Sequence, residues 1–496
     1  MNERRRTRPD TYYFFFVFFA VVVFLIHTPW VELPFYWDEL GQFVPASLDL
    51  FNDGAWIPRS TTPNSHPPGL MAVMAAVWSV AGFSIEASRL TMLLFASGVA
   101  FVTFLLAVEL CGGVGGAPAL TAVLLLLASP LFYMQSILVQ LDLPAALFSL
   151  LGLYLFLRGR DRWAGLSFLL AVLFKETAIA GAAALFLLRW RRKRYGDAAC
   201  YVPSLIALTI WFVVLAQNTG HVFGNAEYTG YNVNYALHPG RIAAAVIRRL
   251  YTVFVQDGHW IGTLAIATIW RKRDLFQTEA WRASALYAAA SAGLVCVVGG
   301  ATLERYLLPV LPLFYVAAAA ALQHLRTGFR ALAQGGLMAA LIAGLFVNPP
   351  YPFPYENNLT LTDFVKVHHE AAEFLDRHAA LDARIVSVWP FTDAVRRPEF
   401  GYTQRPMRAR EIHGFERSRI QALTLAPDEF LVVYSRLWEP EYSLLRLPRV
   451  RWLLESLYGY EPQATAMDYF ERFGPPVARW RQGSQWVSLY APRGAK

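Results

Sequence analysis

The chain has 496 residues, 56% of them hydrophobic and 16% charged, with a mean hydropathy of +0.35. A soluble domain carries about a quarter charged residues, so the composition excludes an ordinary soluble protein and indicates a polytopic membrane protein. The net charge of +8 does not point to nucleic acid, because the basic residues cluster between apolar runs, as membrane topology requires.

Arg4, Arg5, Arg6 and Arg8 form a basic head before the apolar run Thr11–Ile26. His27-Thr28-Pro29-Trp30 follows where a signal peptide would show a small-residue cleavage site. The run is therefore expected to remain as a first span, with the N-terminus in the cytoplasm. The polar loop Trp30–Gly69 then lies outside. Gly69–Gly82 is short for a span and suits an interfacial helix, with Pro68 in its first turn. Arg89–Leu110 runs inward to Cys111–Ala117, a Gly-rich turn that no GKS/T follows and that is no phosphate loop. Leu120–Tyr133 and Leu143–Leu157 are joined by the outer junction Met134–Asp142. Trp163–Trp190 is apolar apart from Lys175-Glu176 at its middle. A charge at a helix centre costs about 2.5–3.5 kcal/mol on insertion scales, so two half-length spans with these charges at an outer turn are expected.

Arg189–Arg194 is the strongest basic block and marks the cytoplasm. Ala198–Ala216 leads out to a second outer loop, Gln217–Arg241, rich in Tyr and Asn. Ile242–Val255 is amphipathic and carries Arg248-Arg249, the exception to a one-sided distribution of basic clusters; a helix on the outer surface is expected. Gly258–Trp270, Ala283–Val298, Leu307–Leu322 and Leu332–Phe346 bring the count to about eleven spans. Asn348–Tyr355 is a Pro-rich linker, beyond which charge is normal and apolar runs are short. Asp363–His378 has helical spacing, and Arg384–Trp389, Glu429–Tyr434, Ala478–Arg481 and Gln485–Tyr490 read as strands. The expected fold is a polytopic α-helical membrane domain over 1–347, a linker over 348–360, and a soluble α/β domain over 361–496. The odd span count puts that last domain outside. Cys111, Cys200 and Cys296 lie far apart, without disulfide or metal spacing, and take no assigned role.

Candidate chemistry collects on the outer side of this topology. Asp38-Glu39 follows the aromatic cluster Phe35-Tyr36-Trp37 in the first outer loop. A carboxylate there suits a general base toward a hydroxyl, worth typically about 10²–10⁴-fold; a helix cap before Leu40 is the plain structural alternative. His66-Pro67-Pro68 is restricted backbone that would hold His66 rigidly, or simply a turn before a helix. Lys175 and Arg305-Tyr306 suit an anionic phosphate, but also suit interface anchoring or local ion pairing. Asp142 before Leu143-Pro144 is a second carboxylate or a plain helix start. Acid, base and phosphate binders on one membrane surface fit a lipid-phosphate substrate.

The ordered set Asp38-Glu39, His66-Pro67-Pro68-Gly69, Arg89, Asp142-Leu143-Pro144, Phe174-Lys175-Glu176 and Arg305-Tyr306-Leu307-Leu308-Pro309 with Pro312 resembles the GT-C superfamily of polyprenyl-phosphate-sugar-dependent glycosyltransferases. The likeness spans Tyr13 to Phe346. It is nearest the branch of protein O-mannosyltransferases and lipid A aminoarabinose transferases. The resemblance implies an inverting transfer of a hexose or pentose from a polyprenyl-phosphate sugar to a protein, lipid or polysaccharide acceptor outside an inner or plasma membrane of the cell envelope. Asp38 would be the base and Glu39 its partner. His66, Arg89, Asp142, Lys175, Arg305 and Tyr306 would bind the donor phosphate and substrate. His66 stands where many relatives carry Lys. Some members need a divalent metal and some do not; Asp38, Asp142 and His66 are the residues that could form a site, and no metal is assigned. Membrane lipids are the other expected partner.

Two other classes compete. A transporter or flippase for a lipid-linked or small anionic substrate would place ionisable groups near the midplane, often with inverted repeats; no repeat is found. A glycan polymerase or ligase would carry its main polar loop late in the membrane region rather than after the first span.

Overall fold

A backbone in apolar surroundings must satisfy its own N–H and C=O groups, and helices do this within one segment. In the computed structural model the described elements from Tyr13 to Gly344 are helices, and the five strands among the described residues begin with Arg384. The structure describes residues 12–112, 117–270, 274–348, 355–380, 382–435 and 447–491. The basic head, most of the Gly-rich turn after Cys111, the Arg271-Lys272-Arg273 cluster and most of the Pro-rich linker lie outside the described residues. The chain divides into two units: Met1–Val31 with Ala46–Leu345, and Glu32–Pro45 with Phe346–Lys496.

In the first unit the central element is the helix Ile85–Cys111, about 40 Å long at 1.5 Å per residue. Ser84 caps it, its hydroxyl accepting the Ala87 N–H at 3.0 Å. It packs against the helices Tyr13–His27, Ala117–Ala128, Asp142–Leu157 and Leu311–Leu322. Three helices among the described residues are long and apolar enough to cross a membrane: Ile85–Cys111, Tyr195–Thr219 and Glu279–Val297. The apolar run around Lys175 is broken. The helix Asp161–Phe174 ends there, Lys175 is extended (φ −148°, ψ 125°), and a 3-10 turn Glu176–Ala178 leads into the helix Ile179–Arg191. At the far ends of these helices Arg189 pairs with Asp161 at 2.7 Å, both buried. One member of the basic block is therefore a packing element as well as a topological signal.

The second unit is a five-stranded sheet in the order β2-β1-β3-β5-β4. Its strands are β1 Arg384–Ser387, β2 Arg408–Glu411, β3 Glu429–Tyr434, β4 Ala478–Gln482 and β5 Gln485–Tyr490. β2, β1 and β3 are parallel; β5 pairs antiparallel with both β3 and β4. Consecutive buried residues in β1 and β3 show that both faces are covered there. The helix Thr360–His378 packs on β4 and β5. Its apolar face includes Phe364, Val367, Ala371 and Leu375, as the spacing predicts. The β4–β5 turn is Gly483-Ser484, with Gly483 at φ +56°, where a side chain would be strained. β2 is the strand that pattern reading missed. Its sequence Arg-Ala-Arg-Glu has no apolar alternation, which is how an exposed edge strand protects itself.

Candidate active site

Three distant segments meet in the first unit. Asp142 is the first residue of the helix Asp142–Leu157, Lys175 sits at the break between two helices, and Arg305 lies in the 3-10 turn Glu304–Leu307. All three are buried. The Lys175 ammonium donates to Asp142 Oδ1 at 2.5 Å, and Arg305 Nε lies 3.2 Å from Asp142 Oδ2. The same ammonium sits 3.8 Å from the centre of the Tyr306 ring, within cation–π range. Asp142 thus orients two cations, and Glu176 also acts electrostatically on Lys175. Asp142, Lys175 and Tyr306 border a small pocket whose lining also includes Ser149, Thr177 and Ser291. Buried cations beside a pocket suit an incoming phosphate.

His66 joins the neighbouring residue of the same break. Its Nδ1–H donates to Glu176 Oε2 at 2.8 Å, with both side chains largely covered. The backbone that brings it there is tightly specified. His66 N–H donates to the Asn64 side chain at 3.0 Å, an Asx turn, and Pro67-Pro68 stiffen the next step. Gly69 then opens the helix Gly69–Ala81 so close to the Asp161–Phe174 helix that a Cβ would lie 2.5 Å from the Leu173 carbonyl oxygen. The segment Gln217–Arg241 and the helix before it close on this region. Ser65 donates to the Tyr228 hydroxyl at 2.8 Å, Asn225 to the Pro63 carbonyl at 2.5 Å, and the Trp211 indole to the Ser65 carbonyl at 3.0 Å. Glu176 and Tyr228 were not singled out as site residues in the sequence; the density of Tyr and Asn in Gln217–Arg241 was the available signal for the second.

Arg89 is fully buried and donates to the Ile137 carbonyl at 2.6 Å, in the segment that leads into Asp142. Arg248 and Arg249 are not a solvated face. Arg249 is buried and donates to the Val295 and Leu303 carbonyls at 3.1 and 3.0 Å. Arg248 lies 3.5 Å from Glu304, whose other oxygen accepts from Gln256 at 3.1 Å. The basic pair that broke the topological pattern therefore supports the turn carrying Arg305-Tyr306.

Asp38 and Glu39 belong to the second unit, and they differ. Glu39 is fully buried and its carboxylate accepts the Tyr36 N–H at 2.7 Å, closing the turn that precedes the helical segment Glu39–Phe43. Asp38 is partly exposed. Neighbouring carboxylates thus hold different positions, one fully buried and one partly exposed. Among the described residues no group of three or more His, Cys, Asp and Glu side chains is placed to hold a metal ion.

Residues 65–216 match the dolichyl-phosphate-mannose-protein mannosyltransferase family. The fold is similar to the crystal structure of ArnT from Cupriavidus metallidurans bound to undecaprenyl phosphate, at a TM-score of 0.57 and 15% identity over 97% of this chain and 98% of that one. The apo state of the same protein gives a TM-score of 0.51 at 14% identity, over 97% and 98% of the two chains. No curated protein matches the chain by sequence. The family match lies over the segment that carries His66, Arg89, Asp142 and Lys175, and the fold likeness extends over nearly the whole of both chains.

Proposed function

We propose that the protein moves a sugar from a polyprenyl-phosphate donor to an acceptor hydroxyl or amine on the outer face of an inner or plasma membrane, with inversion at the anomeric carbon. The observation that carries this reading is the pairing of Lys175 and Arg305 with one carboxylate, Asp142, beside a pocket that Lys175 and Asp142 line. It is supported by the family match and by a fold shared with an enzyme crystallised with undecaprenyl phosphate. In the reaction the acceptor attacks the anomeric carbon, the bond to the phosphate oxygen breaks, and polyprenyl phosphate leaves. Lys175 and Arg305, with Tyr306 beneath the ammonium, stabilise the charge that grows on that phosphate. Asp142 holds the two cations apart and aimed; His66 and Arg89 support the same region. Asp38 takes the acceptor proton, and Glu39 keeps the Asp38 turn in shape. The topology that goes with this reading has about eleven spans within 1–347, a cytoplasmic N-terminus, a linker over 348–360 and an outer domain over 361–496.

The test is transfer by purified protein in detergent, with radiolabelled polyprenyl-phosphate sugars as donors and a membrane extract as acceptor. Wild type should move label and Asp38→Asn should lose it by about 10²-fold or more while remaining folded. Equal transfer by both removes Asp38 from the chemistry. Absence of both transfer and donor binding, for every carrier offered, overturns the reading.

A further inference from the structure

Parallel strands whose order reverses leave a crevice beyond their carboxyl ends, at the point where successive connections turn to opposite sides, and open α/β sheets bind their ligands there. The order β2-β1-β3 places that point at the end of β1. β1 ends at Ser387 and the chain runs on through Val388 to Trp389. Tyr434, the last residue of β3, donates its hydroxyl to the Trp389 carbonyl at 2.6 Å, fixing this corner.

What lies against that corner is a piece of the same chain. The Trp37 ring meets the Trp389 ring edge-on with centroids 4.7 Å apart. Gly41 is pressed so flat on the indole that a Cβ would come within 2.8 Å of Cζ2 and Nε1. Phe35 N–H donates to the Phe400 carbonyl at 3.2 Å, and the Tyr402 hydroxyl donates to the Phe35 carbonyl at 2.8 Å, so both backbone polar groups of one residue are held. Tyr36 packs edge-on against Phe364 with centroids 5.6 Å apart. Trp37 itself is in the left-handed region, at φ +48°, where a bulky residue stays only if its surroundings over-determine it. Residues on either side of Asp38 are therefore fastened, and Asp38 is left partly exposed between them.

We propose that the C-terminal unit is a positioning platform: the end of its sheet that would ordinarily take a ligand takes the segment Glu32–Pro45 instead, and Trp389 and Tyr402 are positioning residues for the Asp38 carboxylate. The proposal rests on Asp38 as the base. It gives the outer domain a role in the reaction without requiring any residue of that domain to touch substrate.

Gly41 lies in helical backbone that alanine accepts, so the cost of Gly41→Ala falls on the contact with Trp389. The experiment compares full-length wild type, Gly41→Ala, Trp389→Leu, the double variant and Tyr402→Phe. Transfer is measured from radiolabelled polyprenyl-phosphate sugar to a membrane extract, with amide hydrogen exchange over 32–45 followed without donor. A displacement of about 1 Å at a catalytic group costs on the order of 10²-fold. Gly41→Ala and Trp389→Leu should each lower the turnover rate at least tenfold with donor KM unchanged, and each should speed exchange over 32–45. The double variant should lose no more than the worse single, because removing the indole removes what the new methyl strikes. Tyr402→Phe should show a smaller loss of the same kind. Multiplied losses in the double variant, or wild-type exchange over 32–45 in Trp389→Leu, would overturn the platform. Exchange does not depend on turnover, so altered exchange with full transfer by Asp38→Asn would instead overturn the reading of Asp38 and with it the catalytic meaning of the docking.

Discussion

Asp142 is the residue whose loss should be felt most in the unliganded protein. It takes Lys175 at 2.5 Å and Arg305 at 3.2 Å, and all three side chains are buried. At an effective dielectric constant of about 20, the gross attractions at these distances are about 7 and 5 kcal/mol. Desolvation offsets most of that in the intact cluster, but not when one member is deleted. Removing one partner of a buried pair costs about 3–5 kcal/mol, because the remaining charge is left uncompensated. Asp142→Asn leaves two buried cations close together. Lys175→Met keeps Arg305 beside Asp142. The two variants should therefore part company in stability. Asp142→Asn should lower the thermal midpoint in detergent by on the order of 5–10 °C. Lys175→Met should lower it far less and yet bind donor poorly. Adding a polyprenyl phosphate should narrow the deficit of Asp142→Asn, since an anion restores the missing counter-charge. Scanning fluorimetry with and without the lipid reads all of this. Equal midpoints for wild type and Asp142→Asn, or equal damage in the two variants, would refute the charge count.

Three further outcomes follow from the geometry. Gly69→Ala puts a methyl within 2.5 Å of the Leu173 carbonyl oxygen; it should destabilise the protein by about 1–3 kcal/mol and weaken retention of labelled donor, read by thermal melt and filter binding. Tyr306→Phe keeps the ring under Lys175 and Tyr306→Leu does not, so donor KM should rise several-fold in the second and little in the first. Burial pushes the His368 imidazole down to about 3, against a backbone bond to Phe364 that favours its charged form. The neutral form is therefore stabilising above the free-imidazole value of about 6.5, and that contribution is lost as pH falls toward 3, at ~1.4 kcal/mol per pH unit. Between pH 7.5 and 5 wild type should lose about 2 kcal/mol that His368→Phe does not lose, seen as a smaller pH dependence of exchange in Thr360–His378.

Local pattern carried the helix Thr360–His378 and four of the five strands among the described residues, because burial of a face imposes a period of 3.6 or 2 that survives in the sequence, whereas the helices Phe391–Arg396, Arg417–Ala422, Pro448–Tyr458 and Ala466–Phe473 were not read from it. The break at Lys175 was legible for a different reason: a charge pair midway along an apolar run has no comfortable place in a continuous helix. β2 was not legible, since its place at the sheet edge comes from pairing with β1 rather than from its own residues. Arg248-Arg249 stood out as an exception to the one-sided basic clusters because charge patterning cannot tell water from backbone carbonyls as the partner of a guanidinium. Asp142, Lys175 and Arg305 were each visible as candidates, but their union on one carboxylate is a tertiary fact.

Asp38 and Glu39 are chemically near-equivalent and side by side, and nothing in their order says how they differ. The structure separates them by burial: Glu39 is fully buried, its carboxylate on the Tyr36 N–H, and Asp38 is partly exposed. Asp142 repeats the logic among the cations, a carboxylate that holds Lys175 and Arg305 in place. In each place an acidic residue does its work by fixing its neighbours, so its loss should first appear as misplaced or mobile partners. Exchange over 32–45 and the thermal midpoint are therefore the measurements that separate Glu39 and Asp142 from Asp38, whose replacement by Asn should leave both unchanged while transfer is lost.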